Sequence, residues 1–238
     1  MKYDNGQWIM QGVAKNAKNR IRTLNELIDY VNQVGFLPLF SNSIAGFSVE
    51  EKVYPGDWWT EDAEHDPWEW RGAVARSGKV AYGKFFDKKA GFISLEWLPY
   101  FVNYRRDGYD FDSRYDEGLA KRREHLIMQL FERNEELFSH EIKSMAGFGK
   151  DGEKNFSGIV TDLQMQTYLV IKDFRHRINK KGQAYGMGVA VYATPETLFG
   201  HDLVTSAYAE EPEISRQRIA DRMKALYPTV TESQLKKL

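Results

Sequence analysis

The stretch that most limits how this chain can fold is NFSGIVTDLQMQTYLV, residues 155–170. Phe156, Ile159, Val160, Leu163 and Thr167 recur there at the spacing of one helix face. From about Tyr168 the pattern becomes strand-like in VIKDFRHRI. Asn179, Lys180, Lys181 and Gly182 then supply a turn, and QAYGMGVAVYA returns as the second arm of a hairpin. Upstream, Leu119, Ile127, Leu130, Phe131 and Leu137 punctuate a charged helix expected over 118–137. Ser139 reads as the cap of a short helix through Ile142 and Met145, closed by Gly147. Three helices followed by a hairpin is the order of a winged helix-turn-helix. The expected fold class is α+β, with the winged helix-turn-helix over residues 117–200.

A chain of 238 residues has room for two small domains. Residues 1–21 are polar, end in the basic run KNAKNRIR and read as an arm. In the α+β region over 22–116, Thr23 and Glu26 form a capping box for a helix to Val34. Asp66, Pro67 and Glu69 start another, expected to end near Arg76. VAYGKFF and AGFIS flank Asp87, Lys88 and Lys89 as a hairpin, and Ser94 reads as the cap of a helix through Phe101 and Tyr104. That order fits either a second, degenerate winged helix or a small α+β domain. NYRRDGYDFDSRYDEG reads as the join, with Arg105, Arg106 and Arg114 neutralising its aspartates. Residues 201–238 read as a helical segment in which Ile214, Ile219, Met223 and Leu226 share a face.

With no cysteine, disulfides, thiolate metal sites and thiol nucleophiles are excluded. Nothing at the start has the apolar core of a signal peptide, and no apolar run is long enough to span a bilayer, so a cytoplasmic protein without a membrane role is expected. The acidic run from Asp57 to Asp66 matches no calcium loop, and His65 has no second histidine nearby. No metal or cofactor is therefore expected. Nucleophile-elbow, phosphate-loop, zinc-protease and dinucleotide motifs are all missing.

A formal net charge of -1 leaves nucleic-acid contact to a local basic patch. Two such patches are visible. Lys150, Lys154 and Asn155 precede the helix at 156, where a phosphate also meets free backbone N–H groups. Lys172, Arg175, Arg177, Lys180 and Lys181 make the hairpin the densest basic stretch. These residues are the candidate DNA contacts, with double-stranded DNA as the expected partner. Gln164 and Gln166 suit adenine edges, yet two positions apart on a helix they point about 200° from each other. A regulatory or protein-interaction module on the same scaffold is the alternative.

The runs DPWEWR, AYGKFF, FIS, NYRRDGYDFD and LQMQTYLVIKDFRHR, spread over residues 58–200, resemble bacterial proteins described as AlkZ-related. That group is linked to the winged-helix DNA glycosylases of the AlkZ and YcaQ type. The resemblance implies a place in DNA repair and hydrolysis of the bond between an alkylated or crosslinked base and its sugar. In those glycosylases a Gln-x-Gln or Gln-x-Asp motif positions the attacking water, which by residue pattern makes Gln164 and Gln166 the catalytic candidates. The glycosylases carry the motif in their N-terminal part, whereas here it lies in the C-terminal half.

Overall fold

The computed structural model describes residues 2–4, 7–179 and 181–238. The chain divides into two compact units, one of residues 1–98 with 216–238 and one of 99–215. Both mix helices with small antiparallel sheets, so the fold is α+β. The unit boundaries fall inside helices rather than at the joins near 116 and 200 that the composition suggests.

In the first unit, β1 (Lys2–Asp4) and β2 (Gln7–Ile9) pair with each other. Residues 10–22 contain no helix. Val13 N–H donates to Val53 O at 3.0 Å and Ile21 N–H to Lys52 O at 2.8 Å, so the expected arm runs as packed loop. Helix α1 (Leu24–Val34) starts where the sequence indicates: Thr23 accepts from Glu26 N–H, and Gly35 ends the helix at a φ of 100°. Strands β3 (Phe36–Pro38), β4 (Val80–Phe86) and β5 (Lys89–Ser94) form a sheet in the order β3-β5-β4. Helix α2 (Pro67–Ser77) carries Asp66 as its cap and Pro67 in its first turn.

The core of this unit is aromatic. Phe36 lies edge-on to Phe47 at 6.0 Å and stacks on Phe86 at 6.3 Å, while Trp70 is 2% exposed and donates from Nε1 to Glu64 O at 2.7 Å. Gly91 is required here, since a Cβ on it would sit 2.5 Å from the Phe86 ring.

Helix α3 (Leu98–Arg106) begins four residues after Ser94. Ser94 is therefore not its cap; the Ser94 hydroxyl is buried without a hydrogen-bond partner among the described residues, and Trp97 N–H donates to the Ser94 carbonyl at 3.1 Å. The expected join folds into α4 (Phe111–Asp116), capped by Asp110. Arg106 does not neutralise the aspartates beside it. Its guanidinium is 2% exposed, pairs with Glu196 at 2.5 Å, donates to Thr167 O at 2.8 Å and stacks over Tyr168 at 4.5 Å.

The helix expected over 118–137 is shorter, because Gly118 takes a φ of 74° and breaks it. It runs as α5 (Arg122–Met128) and tightens to a 3-10 turn over Gln129–Glu132. Then follow β6 (Leu137–Phe138) and α6 (Ser139–Met145), with Ser139 inside the first turn rather than capping it. Helix α7 (Phe156–Met165), β7 (Val170–Ile178) and β8 (Ala184–Ala193) complete the segment, and β8 pairs with both β6 and β7. Ile159, Val160 and Leu163 are buried as their spacing predicts. Removing each from water stabilises the unit by about 1.5–3 kcal/mol.

The chain ends with α8 (Pro195–Phe199), α9 (His201–Val204), α10 (Pro212–Leu226) and α11 (Glu232–Leu235). In α10, Ile219 and Met223 are buried, but Ile214 is 46% exposed, because its neighbour Ser215 takes the inward position and accepts from Asn103 Nδ2 at 3.0 Å.

Candidate nucleic-acid interface

The open end of α7 is shaped by the loop before it. Glu153 N–H donates to Gly147 O at 2.9 Å and Gly149 N–H to Glu153 O at 3.2 Å, so the loop folds back on itself and delivers the chain to Asn155. Asn155 sits at a φ of 66°, a conformation asparagine tolerates better than most residues. Its amide packs against Gly158, where a Cβ would lie 2.4 Å from Asn155 Oδ1, and it does not cap the helix. Among the described residues no side-chain cap is made at this end of α7, so its first-turn N–H groups are open to water or another acceptor.

Lys143, Lys150, Lys154, Asn155 and Ser157 line a depression of about 390 Å³ at this end, with Glu153 as its carboxylate. The Lys154 ammonium donates to Gly149 O at 2.8 Å and also to Lys150 O, while both lysines remain exposed. Arg122 and Arg123 reach the same place, both pairing with Glu153 and Arg123 also donating to Lys154 O at 3.1 Å. Lys143, Arg122 and Arg123 were not singled out by sequence. The visible signal was the run KRREH, which reads as an ordinary charged helix face until α5 is placed beside the loop.

The hairpin's cations fall into two groups. Near its base, Lys172 pairs with Glu136 at 2.6 Å, and Arg175 pairs with Glu136 and, at 2.7 Å, with Asp173. These two are engaged within the protein. Farther out, Arg177 and Lys181 are exposed, as are 182–188, and neither cation has an ion-pair partner among the described residues. Lys180 lies outside the described residues.

The Arg175 guanidinium and the Lys172 ammonium beside Glu136 hold its carboxyl down to about 2. A lowered folded-state value means the contribution to stability is present above the ordinary carboxylate range and is lost as pH falls toward 2. Because the three groups are about a third exposed, screening keeps that contribution small. In a Glu136→Gln variant we expect the hairpin amide resonances to lose their titration between pH 4.5 and 2; titration persisting in the variant would mean the pairing does not govern the hairpin base.

The two glutamines are not brought together. Gln164 is within α7, fully buried, and donates from Nε2 to Val160 O at 3.1 Å. Gln166 caps the helix and donates to Glu124 Oε1 at 3.1 Å. Thr167 then turns the chain at a φ of 64°, which is costly for a β-branched residue, and Tyr168 N–H closes the end by donating to Leu163 O at 2.9 Å. The backbone at 163–167 is thus helical and then reversed, and not extended. An amide buried in the core and committed to a backbone carbonyl does not hold an attacking water.

Among the described residues no group of three His, Asp or Glu is gathered closely enough to hold a metal ion, and no helix is long and apolar enough to cross a membrane. A family model described as AlkZ related matches residues 21–238. No curated protein and no solved structure matches the chain.

Proposed function

Because this chain belongs to the AlkZ-related family, we propose that it binds duplex DNA through a winged helix-turn-helix within residues 117–200. The observation that carries this reading is the open N-terminal end of α7 ringed by Lys143, Lys150 and Lys154. The order of elements supports it: helix, short strand, two helices, then a hairpin, with β8 between β6 and β7. In this arrangement phosphate meets the amides and lysines at the start of α7, while Arg177 and Lys181 of the hairpin touch the flanking backbone. Helix α7 itself offers few side chains to base edges, since five of its ten residues are buried. Binding is therefore expected to depend weakly on sequence.

Anisotropy titrations of a labelled duplex test this directly. Lys150→Ala with Lys154→Ala, and separately Arg177→Ala with Lys181→Ala, are expected to weaken binding about tenfold each at low salt, to a similar degree across sequences. An unchanged affinity in both pairs sinks the proposal.

A regulatory or protein-interaction role on the same scaffold is the second reading. The engagement of Lys172 and Arg175 by Glu136 and Asp173 favours it, as does the formal net charge of -1. The titration separates the two, since this role needs no duplex affinity. Excision of an alkylated base is not assigned to Gln164 and Gln166, whose amides are used within the protein. Abasic sites formed in alkylated duplex by the parent and missing with Gln166→Ala would reverse that assignment.

A further inference from the structure

The outer part of the β7–β8 hairpin carries apolar side chains that neither the core nor the phosphate contacts use. Among the described residues eight large hydrophobic side chains are exposed, and three of them, Ile178, Tyr185 and Met187, fall on this hairpin. Met187 is 89% exposed, more than any of the other seven. From Phe174 to Ala193 the chain contains no aspartate or glutamate, so these side chains alternate with cations and meet no carboxylate along the strands.

The backbone projects Met187 outward. Between the pairs Arg175 with Val189 and Arg177 with Tyr185, β7 advances two positions while β8 advances four, so β8 bulges out around Met187. Gly186 takes a φ of 71°, and its carbonyl accepts from His176 Nδ1–H at 2.7 Å, which ties the bulge to β7. Gly188 lies against Phe174, where a Cβ would come within 3.3 Å of the Phe174 Cβ. With glycine on both sides, no adjacent side chain shelters the Met187 thioether.

The bulge also selects the occupant. β6 pairs with β8 only at Val191 and Tyr192, so the outer edge of β8 is uncovered. A bulged edge, however, interrupts the regular ladder that a strand from a second copy would need. A slender apolar tip flanked by the exposed cations Arg177 and Lys181 instead fits a polyanion with an apolar interior, which is a stacked duplex.

We propose that Met187 enters the minor groove and wedges between two base pairs, kinking the DNA, while Arg177 and Lys181 hold the neighbouring phosphates. The inference rests on the DNA-binding reading and adds to it the groove, the wedge and the bend. Unstacking costs least where stacking is already weak, so a duplex with a central mismatch is preferred over a fully paired one.

Anisotropy and energy transfer, read together on a duplex of about 25 base pairs labelled at both ends, test this with the full chain. On binding the parent, energy transfer is expected to rise, and the mismatched duplex is expected to bind about tenfold more tightly than the paired one. Met187→Ala is expected to bind the paired duplex about threefold more weakly through its remaining cations, with no rise in transfer and no preference for the mismatch. Met187→Leu, which keeps an apolar tip, is expected to retain both, and the exposure of the site leaves the unfolding midpoint of either variant at the parent's. Binding by the parent without a rise in transfer, or a rise that survives in Met187→Ala, overturns the wedge and leaves the phosphate contacts standing. No binding by the parent overturns both. Sedimentation with phosphatidylserine vesicles that is lost in Met187→Ala, in place of DNA bending, makes a lipid surface the partner and also overturns the proposal.

Discussion

Replacing Arg106 with alanine is expected to destabilise the unit of residues 99–215 by about 3–5 kcal/mol, the range for truncating a large buried side chain. The guanidinium connects three separate parts of that unit: it leaves α3, donates to the reversal at Thr167 at 2.8 Å and pairs with Glu196 on α8. Its removal leaves the Thr167 carbonyl without its donor just where the backbone already sits at a φ of 64°. The loss is not pure desolvation, because Glu196 is 27% exposed and regains water once unpaired. Most of the cost therefore comes from the open carbonyl, the lost stacking on Tyr168 and the space left behind. Arg106→Lys should recover only part of it, since an ammonium cannot reach both partners in the geometry of the planar fork. Amide hydrogen exchange of β7 is the measure: protection should fall by the same free energy, and unchanged protection in Arg106→Ala would show that this network does not hold the unit together.

Trp70→Ala is expected to cost the first unit about 3–5 kcal/mol, as for other large buried aromatics. Trp70 is 2% exposed and its indole N–H is satisfied by Glu64 O at 2.7 Å, so truncation both opens a cavity and orphans an acceptor in the loop leading to α2. Trp59→Ala is the comparison, with a far smaller loss, because that ring is 46% exposed. All six tryptophans lie within residues 1–98, so denaturation followed by their fluorescence reports this unit and no other. Equal midpoints for Trp70→Ala and Trp59→Ala would contradict the burial argument.

What was legible in the sequence were features decided within a few residues. Thr23 and Asp66 cap their helices, Asp87 and Lys88 turn one hairpin with Lys89 already in the strand, and Asn179 and Gly182 are in the turn of the other, because caps and tight turns depend on local backbone chemistry. The misreadings came from contacts distant in sequence. Arg106 was assigned to the aspartates beside it, yet its partner is Glu196, 90 positions away. Gln164 looked available because polar residues on helices usually face water, but it continues the buried face of Ile159, Val160 and Leu163. Glu136, far back in the chain, pairs with both Lys172 and Arg175 of the basic hairpin, which the run of cations alone does not show.

DNA binding by the open end of α7 and the outer hairpin is tested most directly by the salt dependence of duplex affinity. If the four exposed cations Lys150, Lys154, Arg177 and Lys181 each neutralise a phosphate, log Kobs falls linearly with log salt at a slope of about -4, and alanine at all four flattens it by about 3–4. A parent whose affinity does not change with salt, or a quadruple variant with the parent's slope, would contradict the proposed interface.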